Sequence, residues 1–519
     1  MRKRIFANIR QNLWIYICIA VYFITATFRL KYPAPNYDET FYMNSALGPV
    51  DDTFAYVHIG SFPIMVMTYI GALKPWIYAP IYKLFGVTMY SIRLPNILIT
   101  CLSLWITYKT VRQEFGKFVA NLSLLLLVID PSLINLTRVD YGPVVLSLVL
   151  RSLTLFFFFR LIRKQQKKDI LFILICLILG FYNKLNFIWF ITSFMVSGSF
   201  VYFKEMRSIA MEKFSALQGK VLIFWAIIFA LLLPYILWRL DYLKTIDLFY
   251  FKHLIQILNS YLLLFNGQIF YLQSLEMSFI DKFIPVFGLI LSFFILGVAI
   301  LHGLIKIIDR KITKPHLFFI LLSLGILSQI IITSAAGGSW HLLMVYPYVT
   351  VLFSAGLMYF FKEKKRILSV LLICIASYFI FINYQYNKNY DNPNISYAWS
   401  KATYELIDYT KKSDSVFVCV DWGIQTQLQA FDHKKGKYFD EWPKFIQDSN
   451  EKKIQQYLLK NFYFSKKTTL FILIPEKYST FKQPRKTFFR YAKENGLIPN
   501  KILDIKDKEI TIFEIYQVW

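Results

Sequence analysis

Three observations predict a polytopic α-helical membrane protein carrying a C-terminal α/β domain. The 519 residues are 56% hydrophobic, with 50 Phe and 35 Tyr, and mean hydropathy is +0.45. Runs of apolar residues recur along the first three quarters of the chain, many long enough to cross a bilayer, for which about 20 residues suffice. Beyond residue 385 the pattern changes to short β-rich runs separated by amphipathic stretches and turn signals.

The apolar runs give about eleven spans, near residues 12–30, 92–111, 117–136, 142–161, 169–185, 187–203, 221–238, 283–305, 316–334, 341–361 and 367–384. The formal net charge of +26 invites a nucleic-acid reading. The distribution of the charge argues against it, because no basic face with interleaved aromatics emerges. The basic residues fall instead into alternate loops: Arg2, Lys3, Arg4 and Arg10; Lys109, Arg112 and Lys117; "RLIRKQQKK" at 160–168; Lys204, Arg207, Lys213 and Lys220; "KIIDRKITK"; and "KEKKR". That bias marks the cytoplasmic side. An odd number of spans then puts the N-terminus inside and the C-terminal tail outside, as in an integral protein of a bacterial inner membrane. "MRKRIFANIR" followed by an apolar run without a small-residue cleavage site reads as an uncleaved signal-anchor. Of five cysteines, Cys18, Cys101, Cys176 and Cys374 lie in spans without metal-ligand spacing, and Cys419 stands alone in the tail. They imply packing rather than a disulfide framework.

The opposite loops differ in kind. The first, about 31–91, is long; its segment 62–86 is apolar but broken by Pro63, Pro75 and Pro80. Helices lying in the interface, with Trp76, Tyr78 and Tyr82 at headgroup level, are favoured there over a further span. A second long loop, about 239–282, reads as amphipathic helix. Residues 1–384 thus form a membrane module and 385–519 a soluble extracytoplasmic α/β domain. In the latter, "SVFVCVDWG" and "TTLFILIPE" read as strands, two helical stretches lie around them, and "KILDIKDKEITIFEIYQVW" is a hairpin turning near Lys506-Asp507.

Carboxylates beside the hydrocarbon layer are costly and usually face a working cavity. Asp38 and Glu39 in "PNYDET" follow the first span, and Asp140 in "TRVDYGPV" lies at the mouth of the fourth. Helix capping accounts for such acids too, for Asp38 ahead of "ETFYMNSAL" and for Asp140 ahead of Gly142-Pro143. Cations stand on the same membrane face: Arg138, Lys184 at the end of the fifth span, and His341 beside Trp340 at the start of the tenth. Carboxylates with Arg, Lys and His on one face can bind a phosphate and activate a hydroxyl. His58, Lys74 and Tyr141 are further candidates for substrate contact, as is Trp340. Asp130-Pro131 reads mainly as a helix break.

The order of these features resembles the GT-C superfamily of membrane glycosyltransferases, in particular the dolichyl-phosphate-mannose protein mannosyltransferase and aminoarabinose transferase-like group. The matching stretches are "YDETFY", "KLFGVTMYSIRLPN", "DPSLINLTRVDYGPV", "GFYNKLNFIWF" and "WHLLMVYPYV", over roughly residues 10–360. Two elements depart from the group: "ALKPW" at Lys74-Pro75 stands where aminoarabinose transferases tend to show "KPP", and "VHIGSFP" offers His58 without the paired prolines of "HPP". The resemblance implies a GT-C fold of about eleven transmembrane helices and inverting transfer of a sugar from a polyprenyl-phosphate carrier to a hydroxyl of a protein, lipid or glycan. It implies Asp38 as general base, with Glu39 and Asp140 positioning the acceptor, tuning Asp38 or holding a divalent metal, and Arg138, Lys184 and His341 on the carrier phosphate. The rival class is a transporter or flippase for lipid-linked sugars, which would use the same cations without a base. Paired halves would mark a transporter, and no internal repeat is visible.

Overall fold

The computed structural model describes residues 2–50, 55–213, 251–269, 279–333, 336–389, 399–446 and 469–518. Helix α1 (Arg2–Thr27) leads into a long segment that precedes the bundle's next long helix. That segment holds α2 (Tyr37–Leu47), a three-stranded antiparallel sheet of β1 (Val57–Ile59), β2 (Phe62–Met67) and β3 (Ile70–Gly71), and α3 (Leu73–Phe85). The expectation of helix throughout 62–86 is therefore half corrected. "SFPIMVMTYIG" alternates over a few β-branched and large residues and pairs as strands, and only the last 13 residues form a helix. At about 1.5 Å per residue, that helix is too short to span.

The bundle follows with α4 (Met89–Phe115), α5 (Lys117–Ile129), α6 (Pro131–Val139), α7 (Val144–Lys164), α8 (Lys167–Asn183), α9 (Ile188–Val201) and α10 (Phe203–Lys213). It continues through α11 (Phe251–Phe265), α12 (Phe279–Ile308), α13 (Lys314–Ile332), the single turn α14 (Ser339–Leu342), α15 (Tyr346–Phe361) and α16 (Lys365–Asn389). Ten of the eleven expected spans coincide with these helices; the one at 221–238 lies outside the described residues. By length and composition five described helices can each cross a membrane, or seven if each of two bent pairs is one span, while Leu13–Thr27, His253–Phe265 and Tyr346–Phe361 are shorter apolar helices.

One bent pair is α5 and α6, which meet at 62°. Asp130 ends α5 and caps α6, accepting from Leu133 N at 2.7 Å, and Pro131 at the first helical position needs no donor partner. Its second oxygen accepts from the Tyr346 hydroxyl. The expected break is present, and Asp130 is fixed by it. An aromatic core of Phe158, Phe159, Phe194, Phe318 and Phe319 ties α7, α9 and α13 together, with edge-to-face and stacked rings.

The tail forms a five-stranded mixed sheet in the order β5-β4-β6-β8-β7. Its strands are β4 (Val416–Cys419), β5 (Tyr438–Asp440), β6 (Thr469–Leu473), β7 (Pro499–Asp507) and β8 (Ile510–Val518), and helices α17 (Ala402–Lys412), α18 (Ile424–Asp432), α19 (Trp442–Ile446) and α20 (Lys482–Glu494) accompany them. Strands β4, β5 and β6 are parallel, and β7 and β8 form the expected hairpin. The hairpin turns two residues later than the sequence placed it, with Lys508 in the left-handed region. Helix α18 of the tail packs on α2. Asn44 Nδ2 donates to Thr426 O at 3.0 Å and Gln427 Nε2 to Pro35 O at 2.8 Å.

Candidate active site

Helix α2 begins with a capping box: Glu39 N donates to Asn36 Oδ1 at 2.9 Å, and Asn36 N to Glu39 Oε2 at 3.3 Å. Consecutive residues of a helix point about 100° apart, so the acidic pair divides. Glu39 turns to Arg93 on α4, which forks onto it with Nε–Oε1 and Nη2–Oε2 both at 2.7 Å. Both side chains are fully buried, and Arg93 Nη1 also donates to Leu30 O at 2.9 Å. The bidentate pair welds the acidic helix to the first and second long helices.

Asp38 faces the other way. It lies deep in the protein yet keeps part of its surface accessible, as a group on a cavity wall does. Among the described residues it makes no hydrogen bond or ion pair. Burial pushes its carboxyl above the ordinary aspartate range; the nearby Lys184 and Lys74 pull it down, while Glu39 and Asp140 push it up.

Asp140 ends α6 in the left-handed conformation, φ 57°, and reaches forward so that Val145 N donates to its Oδ1 at 2.9 Å. It thus joins two helices as a cap. Its other oxygen receives Lys74 Nζ at 2.6 Å, with both side chains buried. Lys74 also lies 4.7 Å from the Tyr42 ring centroid, a cation–π distance. Tyr42 is one helical turn after Asp38, on its face.

Lys184 caps the end of α8. Its Nζ donates to Gly142 O at 3.2 Å, and among the described residues that is its one hydrogen bond, although an ammonium carries three donors. Gly142 adopts φ 63°, and a Cβ there would stand 2.8 Å from Lys184 Nζ. A side chain at 142 would therefore both strain the turn and displace the lysine. Beside Lys184 opens a small recess whose walls include Ser147, Arg151, Asn186 and Trp340. Arg151 is buried and donates to Met344 O and, at 3.2 Å, to Ser147 O. Trp340 stacks on Tyr141 at 5.8 Å, and Tyr141 meets Trp399 at 5.4 Å, forming an aromatic wall.

The structure brings Asp38, Lys74, Asp140 and Lys184 together and sets Tyr141 and Trp340 alongside. Arg138 turns away from this cluster: α6 carries it toward the end of α1, where it donates to Arg29 O. His341 packs edge-on against Trp189 at 5.7 Å, and among the described residues its buried Nδ1 has no hydrogen-bond partner. His58 sits on the exposed β1–β2 hairpin, its Nδ1 2.9 Å from Gly60 O. Arg93, Tyr42 and Arg151 were missed. Arg93 lies within "SIRLPN", and Arg151 sits seven residues inside an apolar run, where a lone arginine is itself the signal.

The acids also bear on a metal. Glu39 is saturated by Arg93, and Asp140 by Lys74 and a backbone amide. Among the described residues no three His, Cys, Asp or Glu side chains converge to hold an ion. Among the described residues these acids therefore offer no free ligand set for a metal.

Residues 71–238 match the family described as dolichyl-phosphate-mannose-protein mannosyltransferase. No curated protein matches the chain. Among solved structures, the chain is similar to ArnT from Cupriavidus metallidurans bound to undecaprenyl phosphate, with TM-score 0.56 and 12% identity over 97% of both chains. It is also similar to the oligosaccharyltransferase AglB from Archaeoglobus fulgidus in complex with an inhibitory peptide and a dolichol-phosphate, with TM-score 0.53 and 11% identity over 90% of this chain and 70% of that one. The chain is therefore a membrane protein of the GT-C fold, with the mannosyltransferase family's sequence pattern across residues 71–238.

Proposed function

We propose that the protein is an inverting glycosyltransferase that moves a sugar from a polyprenyl-phosphate carrier to an acceptor hydroxyl on the extracytoplasmic face of a bacterial inner membrane. The observation that carries this reading is the contrast inside one cluster. Among the described residues Asp38 alone of its three carboxylates has no hydrogen-bond or ion-pair partner, and it faces a lysine that spends one of its three donors on a backbone carbonyl.

Asp38 acts as general base. As the acceptor oxygen attacks the anomeric carbon, its proton passes to Asp38, and the bond from that carbon to the phosphate oxygen breaks on the opposite face. One displacement inverts the centre. The departing phosphate monoester is stable as an anion, so it calls for cations rather than a protonating acid. Lys184, at the mouth of the recess, meets it with its two remaining donors, and Arg151 adds positive potential from behind. Arg138, which donates to Arg29 O, and His341, which packs on Trp189, are given no direct contact with the phosphate in this reading. Lys74–Asp140 and Arg93–Glu39 are positioning pairs. They lock α3 and α2 onto the bundle so that Asp38 stays within a narrow range of positions. The apolar tail lies along the bundle in the bilayer, and its neighbours' bound carriers, undecaprenyl phosphate in ArnT and dolichol-phosphate in AglB, support that class of donor.

The test supplies the purified protein with radiolabelled polyprenyl-phosphate sugars and a cell-envelope acceptor fraction, and measures released polyprenyl phosphate together with label in product. Release that depends on acceptor supports the reading. Movement of intact donor between leaflets of a proteoliposome, without release, would replace it with a flippase.

A further inference from the structure

Three parallel strands of the tail end on the side that faces α2, and each delivers an aromatic ring or an acid there. After β4 comes Asp421-Trp422-Gly423; β5 ends at Asp440 and is followed by Trp442; the loop after β6 carries Phe481. The crevice outside the carboxyl ends of parallel strands is where such sheets hold ligands. The rings form a run. Tyr37, next to Asp38, lies 4.6 Å from Trp422; Trp422 meets Phe481 edge-on at 6.5 Å; Phe481 stacks on Trp442 at 5.4 Å and 11°.

The loops bearing these rings are held from beneath. Asp421 accepts from Ile474 N at 2.7 Å and from the Ser479 hydroxyl at 2.6 Å, and Ser479 also donates to Phe481 O. Gly423 at φ 87° brings its backbone against Tyr37, whose Cβ would be 3.5 Å from an added side chain. The rings themselves are not sealed: Tyr37, Trp422 and Trp442 are partly accessible and Phe481 is exposed. At the far end Asp440 has one carboxylate oxygen, Oδ1, buried without a partner among the described residues. Its acid sits near pH 7, about 7, raised by burial and then by Glu441, with the Trp442 side chain offsetting part of this. Tyr37 feels the charge of both Asp38 and Asp440, so one ring spans the gap between the reacting base and this crevice.

Ordered, partly open rings with a hydrogen-bonding carboxyl at their end suit one chemistry. A pyranose offers an apolar C–H face to the negative face of a ring and hydroxyls that a carboxyl can accept from or donate to. Consecutive rings match consecutive sugars. We propose that Trp422, Phe481, Trp442 and Asp440 form an acceptor subsite for a saccharide, so that the hydroxyl glycosylated beside Asp38 belongs to a glycan or a glycolipid headgroup rather than to a protein side chain. This deepens the transferase reading and rests on it for the identity of the hydroxyl, but the saccharide contact itself needs no donor.

The test uses the full-length protein in lipid nanodiscs without donor. Tetrasaccharides of glucose, mannose and N-acetylglucosamine and a serine/threonine-rich peptide are titrated and followed by saturation-transfer NMR. At least one saccharide binds, and its affinity falls about tenfold in Trp442→Ala, the scale of one lost stacking contact. It falls by a smaller factor in Asp440→Asn, which keeps the shape. Both variants remain folded by thermal unfolding, and undecaprenyl-phosphate binding stays at the wild-type value in both. Binding of the peptide but of no saccharide overturns the proposal, as does silence from every ligand, or saccharide affinity equal in wild type and both variants. Saccharide binding that obeys these expectations while no polyprenyl phosphate is ever released would strike the donor reading alone.

Discussion

The two ends of the bundle handle buried charge in opposite ways. At the end where α7 stops and α8 begins, Asp169, Glu114 and Glu205 each take a cation, from Arg160, Arg163 and Lys314 respectively. These pairs staple neighbouring helices, and several are partly exposed, so each contributes little beyond its geometry. At the other end, some 30 Å away along α7 at about 1.5 Å per residue, the charges are more deeply buried and less well matched. Glu39 and Asp140 have their partners, but Asp38 and Lys184 are each left with capacity unused. A folded chain accepts incomplete pairing where ligand completes it, and under the proposed function the difference between the ends puts the chemistry at the Asp38 end.

The strongest way to break this comparison is Asp38→Asn. The amide keeps the shape and cannot take the proton, so turnover of folded enzyme falls about 10²–10⁴-fold while undecaprenyl-phosphate binding persists. Near-wild-type turnover in a single-turnover assay would remove Asp38 from the mechanism. Next come the buried pairs. Glu39→Gln leaves Arg93 charged and half-paired, and Asp140→Asn does the same to Lys74. Each costs about 3–5 kcal/mol of stability, read as a drop in unfolding temperature. The opposite end sharpens the point: Asp169→Asn lowers stability, yet the fraction that remains folded keeps its turnover. A fall in turnover of folded Asp169→Asn enzyme would erase the functional contrast between the ends.

Lys184→Met separates donor from acceptor. It weakens donor use roughly tenfold or more, as loss of a charge-assisted contact does, and leaves acceptor affinity unchanged in initial-rate kinetics. The smallest effect is in pH. A base works unprotonated, and burial holds Asp38 above the ordinary aspartate range. Activity therefore rises with pH through an apparent value above about 4 and falls on acidification sooner than for an exposed carboxylate. Lys184→Met takes away a cation that opposes this rise, so the acidic limb moves to still higher pH. An unmoved or lowered limb would show that another group sets it.

Much of the fold was legible because a bilayer leaves few choices: ten expected spans coincide with helices, and "YDETFY" marked the acidic helix. Failures came where the partner is remote. Lys74 and Asp140 are 66 positions apart, and Glu39 and Arg93 are 54 apart, so no spacing rule links them. Hence the sequence offered Glu39 and Asp140 as free acids, and only geometry shows them occupied. Arg138 was grouped with Asp140 by adjacency, but α6 ends between them and sends the two side chains to different neighbours. In the outer segment, prolines and glycines in "SFPIMVMTYIG" were read as breaks in helix when they edge a small sheet. In the tail, "YFD" at β5 is too short to signal a strand alone, and it forms because β4 offers a parallel edge.

The most direct measurement is an electron cryomicroscopy structure of the full chain in nanodiscs with undecaprenyl phosphate bound. The account predicts the phosphate at the mouth of the recess, within hydrogen-bond distance of Lys184 Nζ and on the same side of Gly142 as Asp38. A phosphate bound at Arg138 or at the opposite end of α7, with Lys184 still turned only to Gly142 O, would contradict it.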